Sequence, residues 1–300
     1  MPTVHVMTGL PGSGKTTLAR QLGCLRLNLD DYRAMLGNPR KPELWTHEHE
    51  QIAVAMLVRN LVDSVDAGRD VVVDNTHLRK RLPERYRRAL AVRPVTFKLH
   101  DLTAVPVHDC IKRDAARPKP VGADAILKMN GGLHSGNWTL TEDWLNEYTA
   151  YFSRLEKYIP DLTLPPAVIF DIDGTLALSL HRGPYDFEKC ETDEPNWHVI
   201  DALHRCQEAG LTVILLSGRK TEVRPHTERW LDRYGIPREH LFMRDVNDNR
   251  PDFQVKSELF EKHVRGVWDV KEINDDRDQV VDLWRLVYNL PCNQVNYGAF

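Results

Sequence analysis

The run Gly9-Leu10-Pro11-Gly12-Ser13-Gly14-Lys15-Thr16 fits the pattern GxxxxGK[ST], and it lies between an apolar stretch ending at Met7 and a helix-prone run starting Thr17-Leu18-Ala19-Arg20. A strand, a glycine-rich turn and a helix in that order form a cradle for phosphate, because glycine lets successive backbone N–H groups close around an anion at a helix N-terminus. The expected contacts to a nucleoside triphosphate are Gly9, Gly12, Ser13, Gly14, Lys15, Thr16 and Thr17. Lys15 is placed to reach the β- and γ-phosphates and the Thr16 hydroxyl to ligate magnesium. Such a loop commits the chain to an α/β core with a parallel sheet.

The rest of the sequence keeps that rhythm. Short β-branched runs over 4–7, 71–73, 95–99, 167–170, 212–216 and 241–243 alternate with longer amphipathic stretches, the pattern of parallel sheets covered by helices. At 300 residues the chain exceeds one ordinary core. Pro160, Pro165 and Pro166 precede the strand at 167, so the reading is a first domain over 1–160 and a second over 166–300. The glycine-rich stretch 130–136 has neither a following Lys-Thr nor a preceding strand, and a mobile loop is expected there. A formal charge of −3 excludes a globally basic nucleic-acid binder while allowing a local basic patch. Five scattered cysteines without a CxxC pair suggest neither a disulfide framework nor a zinc ribbon. With no run of about 18 apolar residues and no secretory leader pattern, a cytoplasmic protein without a membrane segment is expected.

A triphosphate cradle leaves the phosphoryl acceptor open. Asp30-Asp31-Tyr32-Arg33 follows the alternating run 24–29, at the strand end where open α/β sheets place their chemistry. Asp30 there suits a general base for an attacking hydroxyl, and Arg33 a bidentate grip on an acceptor phosphate. The competing reading is that the two aspartates only cap the helix near Tyr32. Asp74, ending 71–73, is either a second magnesium-side carboxylate or a strand cap. Arg113 and Arg117 are spaced i, i+4 before Pro118, as on a lid helix closing over transferring phosphates.

The second half opens with Ala167-Val168-Ile169-Phe170-Asp171-Ile172-Asp173-Gly174-Thr175, an apolar strand delivering two acids into a Gly-Thr turn. Asp171 is the expected nucleophile toward phosphorus and Asp173 the proton shuttle. Two neighbouring carboxylates call for a cation, and Asp275-Asp276 offers its further ligands, giving an expected magnesium set of Asp171, Asp173, Asp275 and Asp276 beside Thr16 in the first domain. Ser217 at the end of 212–216 and Lys256 ahead of the Asp pair are expected to bind phosphoryl oxygens.

Taken together, GLPGSGKTT, DDYR, KRDAAR, VIFDIDGTLA, RGPYD with EKC after it, SGR and NDDRDQVV with LWR resemble the phage polynucleotide 5′-kinase/3′-phosphatases over nearly the whole chain. The resemblance implies a P-loop kinase followed by a haloacid-dehalogenase-type phosphatase, both α/β, acting on the ends of RNA or DNA with ATP and magnesium. It further implies Asp30 as general base, Arg33 on the acceptor phosphate, Arg117 on ATP and the transferring phosphoryl, Arg182, Arg219 and Asp252 as supporting phosphatase residues, and a homotetramer. The alternative is a fused kinase and phosphatase for nucleosides or sugars. One departure is the basic run 79–88, where Arg85, Arg87 and Arg88 are read as following a nucleic-acid backbone and Tyr86 as stacking on a base. Another is the region 131–136 with Trp138 and Trp144, read as an altered connection.

Overall fold

Val71 and Val73 face one hydrophobic cluster and Val72 faces another, so this three-residue strand is covered on both sides, which is why it reads as a continuous apolar run. It is β3 (Val71–Val73) of a four-stranded sheet with β1 (Thr3–Thr8), β2 (Leu25–Leu27) and β4 (Thr96–Asp101), in the order β2-β3-β1-β4 with every pair parallel. In this computed structural model, which describes residues 1–37, 45–133, 139–180, 182–183 and 186–296, the chain forms two compact units, Met1–Arg154 and Leu155–Phe300.

Helices α1 (Lys15–Gln21), α2 (Leu29–Leu36), α3 (His47–Asp66), α4 (Arg81–Ala89), α5 (Val107–Ala115), α6 (Ala123–Leu133) and α7 (Glu142–Phe152) complete the first unit. The larger cluster joins Val4, Val6, Leu57, Leu61, Tyr86, Phe97 and Leu145. Truncating a fully enclosed member such as Leu57 to Ala would cost about 2–5 kcal/mol. Helix starts follow local chemistry: Asn28 accepts from the Asp30 N–H at 2.8 Å to cap α2, and Thr46 with His49 forms a reciprocal box at the head of α3. Because Asn28 leaves the sheet to make that cap, the run 24–29 keeps only three strand residues.

Three expectations change here. Helix α5 ends at Ala115, so Arg117 lies beyond it and does not share a helix face with Arg113. Residues 130–133 continue α6 where a loop was expected, since the glycines there meet no steric or turn requirement; 134–138, including Trp138, fall outside the described residues. The segment 155–164 goes with the second unit: the Tyr158 N–H donates to the Tyr288 carbonyl at 2.8 Å, and its hydroxyl accepts from the Val270 N–H at 2.8 Å.

The second unit holds a parallel five-stranded sheet ordered β11-β10-β5-β8-β9, built from β5 (Pro166–Phe170), β8 (Thr212–Lys220), β9 (Leu241–Arg244), β10 (Asp269–Asp275) and β11 (Cys292–Gln294). A small antiparallel pair, β6 (Ala177–Leu178) with β7 (Glu194–Pro195), flanks it. Helices α8 (Trp197–Glu208), α9 (Arg224–Arg233), α10 (Asp252–His263) and α11 (Asp278–Asp282) surround the sheet. Asp171 follows β5 directly and Asp275 ends β10, its neighbour, so the parallel register brings acids distant in sequence to one sheet edge. Among the described residues no helix is long and apolar enough to cross a membrane.

Candidate active sites

In the first unit the loop after β1 is held by its glycines. Gly14 takes φ +99° to cap α1, and Gly12, at φ +84°, packs so closely on α5 that a Cβ would stand 2.1 Å from the Cys110 carbonyl oxygen. Any side chain there would clash with backbone that cannot give way. Lys15 Nζ donates to the carbonyls of Gly9 at 2.9 Å and Leu10 at 2.7 Å, and the Ser13 hydroxyl lies 3.5 Å away. Burial lowers the Lys15 ammonium to about 8; Asp74 opposes this and Arg117 adds to it. Thr16 is half-buried in the first turn of α1 and Thr17 is exposed beside it. Asp74, buried at the end of β3, accepts from Arg26 Nε at 2.8 Å.

The acceptor side is built on α2. Since Asn28 is the cap, Asp30 is not needed for that task; it stands exposed in the first turn, 2.7 Å from Arg33. Arg33 is also gripped by Glu50 of α3, its Nε donating at 2.9 Å, so its planar fork is fixed between two carboxylates. Arg117 is anchored through Asp114: the Arg117 N–H donates to the Asp114 carbonyl at 3.0 Å, and Asp114 Oδ2 accepts from the N–H groups of Val121 and Gly122 at 2.8 and 3.0 Å. Glu50 and Asp114 were missed by sequence reasoning: Glu50 stands in no motif and meets Arg33 from another helix, and in KRDAAR the arginines drew the reading while Asp114 acts across a loop.

The basic run 79–88 divides. Tyr86 is wholly buried with its hydroxyl 3.1 Å from His77 Nε2, so it offers no face to a base. Arg87 is buried against Trp144 and Tyr148, 4.2 and 4.0 Å from their ring centres, and paired with Glu84 and Glu147 at 2.7 and 2.8 Å. Both are core anchors of α4, which corrects the reading of them as nucleic-acid contacts.

In the second unit the Lys256 ammonium is fully enclosed, 2.9 Å from Asp171, 2.8 Å from Asp275 and 3.5 Å from Asp252. Burial by itself would lower that ammonium, but the three carboxylates hold it well above its ordinary value. The negative charge still exceeds the positive. Burial together with Asp275 and Asp276 raises Asp171 far above the usual carboxylate range against the pull of Lys256, and burial with Asp275 raises Asp276 to about 6. Two close approaches need glycine: a Cβ on Gly174 would stand 2.1 Å from Asp276 Oδ2, and one on Gly218 2.2 Å from Asp252 Oδ1. Ser217, at the end of the buried part of β8, accepts from the Arg219 N–H at 3.2 Å.

Asp173 turns away from this group. Its carboxylate is held by Arg182 at 2.6 Å and Arg219 at 2.9 Å, and although burial pushes it up, the two guanidinium groups outweigh that and keep it low. Both arginines also pair with buried Asp193, at 2.7 and 2.9 Å. Asp252 receives Arg244 at 3.1 Å and Arg277 at 3.6 Å. Asp193 and Arg244 carry no local signal and were not anticipated, and Arg277 lies within NDDRDQVV without having been given a role. Pro184 and Tyr185 of the RGPYD run lie outside the described residues.

Asp171, Asp275 and Asp276 present oxygens within 4.8 Å of one another, and Asp276 Oδ1 is buried with no hydrogen-bond partner. A concentration of buried carboxylate oxygens, one of them orphaned, fits a hard divalent cation. Asp173, expected among the ligands, is absent from that trio because its side chain is committed to the arginines.

Residues 165–300 match the family model for the polynucleotide kinase PNKP phosphatase domain, and residues 4–133 that for an AAA domain. The chain is 28% identical over 298 residues to a bifunctional polynucleotide kinase/RNA ligase of Autographa californica nuclear polyhedrosis virus, covering 93% of this chain and 40% of that protein's length. It is 33% identical to a chain in the structure of the Pnkp1/Rnl/Hen1 RNA repair complex, covering 100% of this chain and 97% of that one with a TM-score of 0.48. Two domain matches in this order, joined by one-third identity along the full length of both chains, mean that the chain belongs to the family of bifunctional polynucleotide kinase/phosphatases.

Proposed function

We propose that the chain repairs nucleic-acid ends, transferring the γ-phosphoryl of ATP to a 5′-hydroxyl in its first unit and removing a 3′-phosphate in its second. The observation that supports this reading is that in each unit the candidate residues follow the C-terminal ends of parallel strands: Lys15 after β1 and Asp30 with Arg33 after β2 in one, and Asp171 and Asp275 joined by Lys256, with Ser217 on β8, in the other.

In the first unit the glycine loop and Lys15 bind the triphosphate of ATP, Thr16 ligates its magnesium, and Arg117 meets the transferring phosphoryl. Exposed Asp30 takes the proton of the attacking hydroxyl, while Arg33, fixed by Glu50, holds the adjoining phosphate of the acceptor. ATP supplies the phosphoryl group. In the second unit an Asp171 oxygen attacks the 3′-phosphate in line and the ester bond to the nucleic acid breaks, leaving an aspartyl-phosphate that water then hydrolyses. Asp173 is ionised while Arg182 and Arg219 hold it. Once the substrate phosphate competes for those guanidinium groups it can carry a proton, giving it to the leaving oxygen and recovering one from the hydrolytic water. Lys256 and Ser217 receive phosphoryl oxygens. Asp171, Asp275 and Asp276 would hold a magnesium ion, which when bound would neutralise phosphate charge.

Support for RNA among the acceptors comes from the RNA repair complex that holds the 33% identical relative. End-labelled oligonucleotides, assayed for 5′ phosphorylation and 3′ dephosphorylation together, test the proposal. Asp171→Asn should abolish dephosphorylation, spare phosphorylation and leave no acid-stable acyl-phosphate. A parent enzyme that phosphorylates nucleosides or sugars well and oligonucleotides poorly would overturn the nucleic-acid assignment.

A further inference from the structure

Once Tyr86 and Arg87 are assigned to the core, the exposed cations of α4 are Arg81, Arg85 and Arg88. Their spacing of i, i+4 and i+7 sets them along one face, spanning about 10 Å of helix axis. Glu84, the one acid of the helix, is engaged by Arg87 and by Arg88, whose Nε lies 2.6 Å from it, so its charge is taken up at the Arg88 end of the row and not by Arg81 or Arg85.

The position of the row is fixed relative to the acceptor side. Asn75 Nδ2 donates to the Tyr86 hydroxyl of α4 at 3.4 Å, and Asn75 Oδ1 accepts from the Leu29 N–H at 2.9 Å, at the head of the helix carrying Asp30 and Arg33. At its near end the charge of Arg81 acts on Glu50, the residue that clamps Arg33. A line of guanidinium groups thus leads away from the point where an acceptor phosphate would be held. No aromatic side chain interrupts it on α4, since Tyr86 is buried, so it suits a repeating phosphate chain more than a base.

We infer that Arg81 and Arg85, extended by Arg88, form a track for the sugar-phosphate backbone of the single strand behind the 5′-hydroxyl end, setting a preference for polynucleotides over mononucleotides. This rests on the kinase reading above and adds the residues that make the acceptor a polymer.

The test measures the kinase KM for a 5′-hydroxyl oligonucleotide and for a nucleoside 3′-monophosphate between about 50 and about 200 mM salt. It compares the parent, Arg81→Gln/Arg85→Gln and Arg81→Lys/Arg85→Lys, with turnover of the 3′-monophosphate reporting that the first unit is folded. Two lost phosphate contacts lower the salt slope by about 1.4, so over this range the parent's oligonucleotide KM rises about sevenfold more than that of the first double variant. The second double variant keeps the parent's slope, and the KM for the 3′-monophosphate is the same in all three. The inference is overturned by an unchanged slope in the first double variant, by equal KM increases for both acceptors, or by a second double variant that behaves like the first. A parent that phosphorylates the 3′-monophosphate, with an unchanged slope in the first double variant, removes the track and leaves the kinase reading intact. A parent that phosphorylates neither acceptor removes that reading and the track with it.

Discussion

Acidification should loosen the first unit through His77. The ring is buried, with Nδ1 2.6 Å from the Met7 carbonyl oxygen and Nε2 3.1 Å from the Tyr86 hydroxyl. A carbonyl only accepts, so Nδ1 carries the proton of the neutral ring and Nε2 accepts from Tyr86. A second proton would put two donors face to face. Burial accordingly lowers the His77 pKa from 6.5 to about 4; the Met7 carbonyl opposes this and Lys15 adds to it. The unfolded chain protonates first, so the stability that the neutral ring confers is whole above about pH 6.5 and is lost as the pH falls toward 4. Between about pH 7 and pH 5 the loss is about 2 kcal/mol, or about 4–8 °C in Tm for a unit of this size. Thermal unfolding of the parent and of His77→Gln at both pH values checks this, the first unit being identified as the transition that ATP raises. Gln keeps a donor and an acceptor without titrating, so the parent should fall by that amount more than the variant. Parallel falls would show that His77 is not the group being protonated.

The other predictions concern charge at the two sites. Lys256→Met leaves the carboxylates of Asp171, Asp252 and Asp275 without the ammonium at their centre, which should cost the second unit about 3–5 kcal/mol and its phosphatase activity while the kinase persists; an unmoved transition would refute the charge account. Asp30→Ala should slow phosphorylation by about 10²–10⁴ with no change in unfolding, since Asn28 is the helix cap, and near-normal turnover would remove Asp30 as the base. Magnesium at about 100 times its Kd should stabilise the second unit by about 2.7 kcal/mol, and the gain should disappear with chelator or in Asp276→Asn. If the gain survives Asp276→Asn, the ligand trio is misassigned.

What the sequence disclosed is what the backbone dictates locally. A β-branched run followed by Asp171 places that aspartate at a strand end whatever else the chain does, and the glycines of 9–14 announce φ values that other residues resist. Three of the five strands of the second sheet, β5, β8 and β9, were readable on the same grounds, whereas β10, interrupted by Lys271 and Glu272, and the three-residue β11 were not. Nor were the partners of the site's acids. Asp193 lies among other acidic residues, yet it shares both Arg182 and Arg219 with Asp173, and that selection depends on β7 and α9 folding over the Asp173 turn. Glu50 is likewise an ordinary charge in an amphipathic helix until α3 packs on α2 and brings it to Arg33. The Asp173 carboxylate was expected beside those of Asp171, Asp275 and Asp276 for the same reason, because adjacency to Asp171 along the chain says nothing about which way its side chain is pulled.

The basic run shows how a correct compositional signal acquires the wrong residues. Read linearly, 79–88 is one patch of cations around an aromatic. Wound into a helix at about 100° per residue, Arg81, Arg85 and Arg88 fall within about 60° of one another, while Arg87 stands more than about 100° from the middle of that face. Arg87 is therefore carried to the core side of α4, where its charge is satisfied by Glu84 and Glu147 and its planar face by Trp144 and Tyr148. Tyr86 goes with it, because a buried hydroxyl must find partners and here finds His77 and Asn75. The inward residues fix the helix, and through Asn75 they fix it against the segment bearing Asp30. The outward guanidinium groups are thus held in a constant relation to the acceptor side, and this rigidity is what allows a row of otherwise ordinary surface charges to discriminate a strand from a single nucleotide.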